Sequence, residues 1–259
     1  MDLWNLIIVQ PMLNILLGIY SIGLPFGLAI IIFTIVVRLI THPLTAQQQK
    51  STQAMQELQK SKEWQEMQKK YKNEREKLSQ EQMRLYKEMG VNPFGSCLPT
   101  LIQFPIIIGL YQSIMHALGN TPIQLMDLSK FIYPFFPNAF KLIPINPQFL
   151  WMNLGEPERV YIGGFGIPIL AILVMITTYM QSKVMTMPTA DANDQSAQMT
   201  KMMNLYMPLM LGFFAYSFAA GLAVYFVTSN LVSVFQYTLL GKTDWRRLLP
   251  AGMLPSNKK

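Results

Sequence analysis

Arg38 is the side chain in this sequence whose chemistry is most unusual for its surroundings. It stands within an otherwise apolar stretch, FGLAIIIFTIVVRLITHPLT, and its guanidinium group stays protonated at any physiological pH. The long apolar stretches of the chain contain no Asp or Glu that could neutralise it there. Two interpretations are open. The side chain extends towards His42 and the surrounding water, or it lies in a water-containing cavity and attracts acidic groups.

Polar residues in two later apolar stretches favour the cavity. Isolated polar side chains of this kind usually join helices to each other, and that interpretation stays open as well. Their number, beside an arginine with no acidic partner in the apolar stretches, predicts a hydrated cavity. The candidate lining residues are Gln103, Gln112, Thr228, Asn230 and Gln236, and Thr100, Ser113, Ser229 and Ser233 lie in the same two stretches.

Catalysis and metal binding have no visible basis in the sequence. Without carboxylates in the apolar stretches, there are no acid–base pairs there and no proton- or sodium-coupling sites of the kind found in pumps. Cys97 is the only cysteine, so the chain can form neither an internal disulfide nor a cysteine metal site. His42 and His116 are far apart in the sequence. We therefore predict no enzyme activity, no metal and no cofactor.

The composition is that of a membrane protein. Charged residues make up 14% of the chain, against roughly 25% in soluble domains, and 51% of the residues are hydrophobic. A helix that crosses a bilayer needs about 20 apolar residues. The apolar stretch 205–240 is too long for one span and is interrupted at Ala219-Ala220-Gly221. We predict an all-α membrane protein with five transmembrane helices, at residues 22–42, 93–118, 162–182, 205–220 and 221–240.

The distribution of positive charge predicts the orientation of these spans. Ten Lys or Arg residues lie in residues 43–92, two in residues 183–204 and five in the basic tail, residues 241–259. The positive-inside rule places these segments in the cytoplasm. The loop 119–161, which has three, then lies outside, as does the N-terminus.

Two of the remaining segments are predicted to be peripheral. Residues 1–21 are apolar without a basic leader, and we predict a helix in the outer membrane interface, with a sixth span as the alternative. The loop 119–161 contains six prolines, which predicts irregular structure.

Residues 43–92 form a polar insert that is rich in helix-forming residues. Two apolar stripes at three- and four-residue steps flank a polar point at residues 72–76, which predicts an antiparallel helical hairpin in the cytoplasm. A docking role and a simple connector are both open for it. The stripes are Met55, Leu58, Trp64, Met67 and Tyr71 on one side and Leu78, Leu85 and Met89 on the other.

Three segments together resemble the YidC insertase family, which has mitochondrial and chloroplast relatives. They are the arginine stretch quoted above, GVNPFGSCLPTLIQFPIIIGLYQSI at residues 90–114 and FAAGLAVYFVTSNLVSVFQ at residues 218–236. The likeness extends over residues 24–240 in the family's order and fits its compact bacterial form. Ala219 stands where the family often has Pro, and Phe226 stands where Trp is frequent.

The resemblance implies an insertase that helps other membrane proteins enter the bilayer without hydrolysing nucleotide. It implies a five-helix core with a hydrophilic groove that contains Arg38 and opens to the cytoplasm and to lipid. It also implies that the second and fourth spans form an apolar slide for the incoming helix. Candidate slide residues are Ile102, Phe104, Ile106, Ile107, Met207, Met210 and Phe214.

The resemblance also implies the location and the partners. The location is the bacterial plasma membrane, and the partners are nascent membrane proteins and the lipid bilayer. Contact with the Sec translocon stays open, as does contact with the ribosome through tail residues such as Arg246, Arg247, Lys258 and Lys259. No DNA-binding module is present. A passive assembly scaffold is an alternative function. A solute channel or transporter is another, although neither a coupling carboxylate nor an inverted repeat supports it.

Overall fold

Helices make up most of the described chain. The structure, a computed structural model, describes residues 2–71, 74–90, 98–119, 121–134, 141–185 and 195–239. A π-helical segment, Asn5–Val9, runs directly into the first α-helix. In chain order the α-helices are α1 (Gln10–Tyr20), α2 (Phe26–Ile40), α3 (His42–Lys60), α4 (Lys62–Lys70), α5 (Arg75–Glu88), α6 (Leu98–Ala117), α7 (Pro122–Phe131), α8 (Ile169–Met185), α9 (Gln195–Ser217) and α10 (Ala220–Leu239).

Helix α10 lies at the centre of the bundle. It packs against α2 on one side, against α8 on another and against α6 on a third, and α8 in turn packs closely against α9. Helix α1 packs against α2 and α6. Among the described residues, the ring of Tyr111 on α6 meets that of Phe218, which follows α9, at 5.3 Å.

The N-terminal helix contributes to the core of the bundle. Val9, Leu13, Leu16 and Leu17 are fully buried on one face, and the amide of Asn14 binds the connection that follows α6. Its Nδ2 donates to the carbonyl of Phe131 at 2.8 Å, and its Oδ1 accepts from the backbone N–H of Tyr133 at 2.9 Å. The depth of this helix in a bilayer, interfacial or spanning, stays a prediction.

Several helices begin at positions different from those predicted. Helix α2 starts at Phe26 instead of residue 22, because Pro25 holds the residue before it out of the helical conformation. Helix α8 starts at Ile169 instead of residue 162, because residues 160–167 fold into a β-hairpin. Helix α9 starts at Gln195 instead of residue 205, since residues 195–204 contain helix formers and neither Pro nor Gly.

The connection 119–161 is more regular than its proline content predicts. Thr121 and Gln124 form a capping box at the start of α7, and Pro122 occupies a first-turn position where a missing N–H costs nothing. Two antiparallel β-hairpins follow. One joins β1 (Gln148–Phe149) to β2 (Met152–Asn153), and the other joins β3 (Val160–Ile162) to β4 (Phe165–Ile167). Gly163 and Gly164, at φ of +60° and +89°, form the turn of the second hairpin.

The polar insert folds back on itself with its apolar stripes in contact. Helices α3 and α4, separated at Ser61, form one arm, and α5 forms the other. The Ser61 hydroxyl caps α4 by accepting from the N–H of Trp64 at 3.2 Å. Leu58, Trp64, Met67 and Leu78 are buried between the arms, Tyr71, Leu85 and Tyr86 are partly buried there, and Met89 is exposed.

The span count rests on helix length and composition. Ala220–Leu239 is the one described helix long and apolar enough to cross a membrane by itself. A second would be the pair α2 and α3, which bends by 56°, if it formed a single span. Helix α8 has 17 residues, fewer than the roughly 20 needed. The five-span topology stays a prediction.

The hairpin core yields a test of stability. Trp64 is 1% exposed, so Trp64→Ala should lower the free energy of opening the hairpin by about 3–5 kcal/mol through lost packing. Hydrogen exchange of the α4 and α5 amides measures that free energy. Met83→Ala, at a position 43% exposed on α5, is the control and should change it little. Equal exchange in both variants would mean that the arms do not form a cooperative unit.

Candidate functional site: the arginine groove

The guanidinium of Arg38 is bound by Ser229 on the central helix. Arg38 Nε donates to the Ser229 hydroxyl oxygen at 2.8 Å, and Nη2 donates to the same oxygen. The backbone carbonyl of Arg38 accepts from Nε2 of Gln236 at 3.2 Å. Arg38 is thus attached to α10 at two levels, through its side chain and through its backbone.

The two attachments show which way the side chain points. Ser229 lies seven residues before Gln236 on α10, a rise of about 10 Å along the helix. The side chain of Arg38 therefore runs away from the C-terminal ends of α2 and α10. A snorkelling arginine near the end of α2 would run in the opposite direction, towards His42. Because Ser229 is the tenth of the twenty residues of α10, the guanidinium lies near the middle of this helix.

Two further polar residues extend this cluster to α6. Gln103 Nε2 donates to the hydroxyl of Tyr225, and that hydroxyl also hydrogen-bonds Ser229. The chain of contacts runs from Gln103 on α6, through Tyr225 and Ser229 on α10, to Arg38 on α2. Arg38 itself is only partly buried. We call these four residues, together with Gln236, the arginine groove.

The arginine groove has more donors than acceptors. A guanidinium carries five N–H groups, and Arg38 uses one on Nε and one on Nη2 for Ser229. Among the described residues, no carboxylate lies within ion-pair distance of Arg38, and its other three N–H groups have no protein acceptor. The side of the fork formed by Nη1 and Nη2 can still bind a carboxylate through two parallel hydrogen bonds.

Three of the predicted lining residues do not join this cluster. Gln112 accepts from Nε1 of Trp4 at 2.7 Å, on the side of α6 that faces the N-terminal helix. Asn230 is buried against α8, where its Nδ2 donates to Thr178 at 2.8 Å and to Thr177 at 3.1 Å. Both residues join helices, which is the alternative that their isolated positions left open. Thr228 is partly buried and makes no contact with Arg38.

Tyr225 and Ser229 were not among the predicted lining residues, and helical spacing is the signal that identifies them. Residues 225, 229 and 236 are separated by four and seven positions, so they lie within about 40° of each other around the helix. Asn230 is about 100° away from Ser229 and faces α8. The phase of the helix, and not polarity alone, decides which side chains meet the arginine.

The predicted slide residues on α6 and α9 differ in exposure, and their role as a slide stays a prediction. Phe104 on α6 and Met210 and Phe214 on α9 are exposed. Ile106 and Ile107 are partly buried against the core, and Met207 is also partly buried. The side chains of Ile102 and Thr100 lie outside the described residues, as do the basic tail and Cys97.

The bundle and the arginine groove define an α-helical membrane protein with an internal cationic site. Residues 18–245 match the family described as 60Kd inner membrane protein. The chain is 37% identical to the membrane protein insertase YidC of Oceanobacillus iheyensis, over 93% of this chain and 84% of that protein. It is 33% identical to the membrane protein insertase MisCA of Bacillus subtilis, over 94% and 81%. The chain therefore belongs to the family of YidC-type insertases.

Relatives outside these bacteria and a solved structure agree with this assignment. The inner membrane protein ALBINO3 of Arabidopsis thaliana chloroplasts is 34% identical, over 87% of this chain and 49% of that protein. A crystal structure of an active YidC insertase, with its first transmembrane domain resolved, superposes with a TM-score of 0.52 at 26% identity. The match covers 81% of this chain and 40% of that one.

A double-mutant cycle tests the hydrogen bonds between the Ser229 hydroxyl and the Arg38 guanidinium. Because hydrogen bonds to charged groups contribute roughly 1.5–3 kcal/mol, Ser229→Ala and Arg38→Ala should be coupled by about that free energy in unfolding experiments in detergent. Thr228→Ala, one residue away on another face, is the control and should couple to Arg38→Ala by less than about 0.5 kcal/mol. Additive effects of Ser229→Ala and Arg38→Ala would mean that the pair does not form in solution.

Proposed function

We propose that this protein is a membrane protein insertase that receives acidic segments of its substrates at Arg38. The observation that carries the proposal is the guanidinium near the middle of α10, held by Ser229, with three N–H groups free of protein acceptors within the described chain. The names of the bacterial relatives, membrane protein insertases, support the same activity.

The physical problem for an insertase is the passage of polar groups through hydrocarbon. The apolar core of a bilayer is about 30 Å thick, and each charge placed at its centre costs roughly 2.5–3.5 kcal/mol or more. A hydrated groove that reaches Arg38 shortens the distance over which a substrate's polar segment is out of water. A carboxylate in that segment accepts two hydrogen bonds from Nη1 and Nη2 while Ser229 holds the other side of the fork.

The apolar part of the substrate leaves by a different route. Phe104, Met210 and Phe214 present apolar surface on α6 and α9, along which an incoming helix passes into lipid. Transfer of apolar surface from water to lipid is favourable by about 25 cal/mol per Å². For a helix of some 20 apolar residues, this partition supplies the driving force, so the mechanism includes no nucleotide hydrolysis.

The same proposal includes the topology. We place the ends of α2 and α10 that follow Arg38 and Gln236, together with the hairpin formed by α3, α4 and α5, in the cytoplasm of a bacterial cell. The connection between α6 and α8 lies on the other side of the plasma membrane, and the N-terminal helix lies in the outer membrane interface. In this orientation the groove opens towards the compartment where substrates are made.

A passive scaffold is the main alternative. It would bind other membrane proteins without moving their polar segments across the bilayer. Reconstitution into liposomes that contain no other protein separates the two functions, because an insertase protects the translocated segment of a small test substrate from external protease. A scaffold leaves that segment accessible.

Substitutions of Arg38 test the electrostatic mechanism. Insertion of a substrate with an acidic translocated tail should fall about tenfold or more in Arg38→Ala and further in Arg38→Glu, because attraction becomes repulsion. Arg38→Lys should retain part of the activity, since the charge remains although the planar fork is lost. Protease protection in liposomes with equal amounts of folded protein measures insertion.

The matched control for this series is the same substrate with a neutral tail. Its insertion should change little in all three variants if Arg38 acts by attracting carboxylates. Equal losses for both tails would contradict the electrostatic mechanism while leaving the insertase assignment intact.

Cysteine labelling tests the topology. In a chain with Cys97 replaced by Ser, a membrane-impermeant maleimide should label Gln65→Cys only from the cytoplasmic side. It should label Asn138→Cys, at a position outside the described residues, only from the opposite side. Labelling of both positions from one side would contradict the five-span topology.

A further inference from the structure

Four large side chains are exposed at the tips of the two β-hairpins. Leu150 and Trp151 occupy the turn between β1 and β2, with 73% and 52% of their surfaces exposed. Tyr161 and Phe165 flank the Gly163-Gly164 turn, with 70% and 80% exposed. This much apolar surface is unexpected on a connection that faces only water.

The buried carboxylate of Glu158 fixes the first hairpin to the start of α8. Its Oε1 accepts from Nε1 of Trp151 at 3.0 Å, and its Oε2 accepts from the backbone N–H of Leu170 at 3.0 Å. Because the Trp151 N–H is satisfied by this bond, the exposed part of the indole is apolar. The second hairpin joins α8 directly through Pro168. Both tips therefore lie around the N-terminal end of α8.

The exposed surface of α8 continues from these tips. Ile172, Leu173 and Ile176 are exposed on this helix, and residues 160–182 contain no charged side chain. At the base of β3, the guanidinium of Arg159 lies 4.9 Å from the ring centroid of Tyr216, near the end of α9. The two hairpins therefore lie near the N-terminal end of α8 and the C-terminal end of α9.

We propose that Leu150, Trp151, Tyr161 and Phe165 form an anchor in the interfacial layer of the bilayer, in the leaflet at the N-terminal end of α8. Trp and Tyr are enriched at this depth because their rings are apolar and their N–H or O–H groups are polar. Lipid is the occupant that the structure favours, since the anchor is continuous with the exposed face of α8 and residues 160–182 contain no charged side chain.

The anchor is attached to helices α8 and α9. Glu158 links it to α8, and Arg159 links its base to Tyr216 on α9. It therefore holds the ends of α8 and α9 at a constant depth while a substrate helix passes between α6 and α9. This inference rests on the membrane location of the family and is independent of the role of Arg38.

Fluorescence quenching in vesicles tests the anchor. In a Cys97→Ser background, an environment-sensitive fluorophore is attached to Phe165→Cys, and the protein is reconstituted into phosphatidylcholine–phosphatidylglycerol vesicles. A lipid carrying a nitroxide near its headgroup should quench this label at least about three times more strongly than it quenches a label at Gln80→Cys. Gln80 is an exposed position on α5. Aqueous iodide should show the reverse preference.

Two results would overturn the proposal. Strong quenching of the label at position 165 by iodide, with little by the nitroxide lipid, would place the hairpin tip in water. Protection from both quenchers would mean that protein, such as a second copy of this chain, covers the tip. Neither measurement involves substrate insertion, so failure of the anchor is distinguishable from failure of the insertase function.

Discussion

The guanidinium of Arg38 lies among apolar helices with no carboxylate of the described residues within ion-pair distance, and the polar face of α10 provides the hydrogen bonds that hold it there. Burial of a charge is costly unless hydrogen bonds replace part of its hydration. Ser229 supplies one oxygen for two of the donors, and the partial burial of Arg38 leaves the others able to reach water. An acidic partner within the bundle would satisfy the arginine better, but it would also occupy the site at which a substrate carboxylate could bind.

Helix α10 can position the groups that bind Arg38 because other elements of the bundle contact it on several sides. The backbone N–H groups of Ala220 and Gly221 donate to the carbonyls of Glu156 and Leu154, which satisfies two of the N–H groups at the start of the helix. Asn230 ties the middle of the helix to α8. These contacts leave one face, with Tyr225, Ser229 and Gln236, free to meet α2 and α6.

Helices α8 and α9 form a close pair beside α10. Helices α8 and α9 approach closely at Gly212, where an added Cβ would lie 2.2 Å from Cγ of Met175. Phe104 on α6 and Met210 and Phe214 on α9 expose apolar surface, while the polar cluster is shared by α2, α6 and α10.

The sequence by itself determined the class of protein, the apolar segments, the two stripes of the polar insert and the importance of Arg38, because hydropathy and helical periodicity are local properties of a chain. The starts of α2, α8 and α9 were not predictable from hydropathy. Pro25 and the Gly163-Gly164 turn interrupt chain that is apolar on both sides of them, and α9 begins within polar residues that form helix well. Nor could polarity distinguish Ser229 and Tyr225, which meet the arginine, from Asn230 and Gln112, which join other helices. Only the tertiary structure decided this, because the neighbour of a polar side chain depends on how each helix is rotated against its partners. The direction of the Arg38 side chain was decided in the same way, by an acceptor 191 positions away in the sequence.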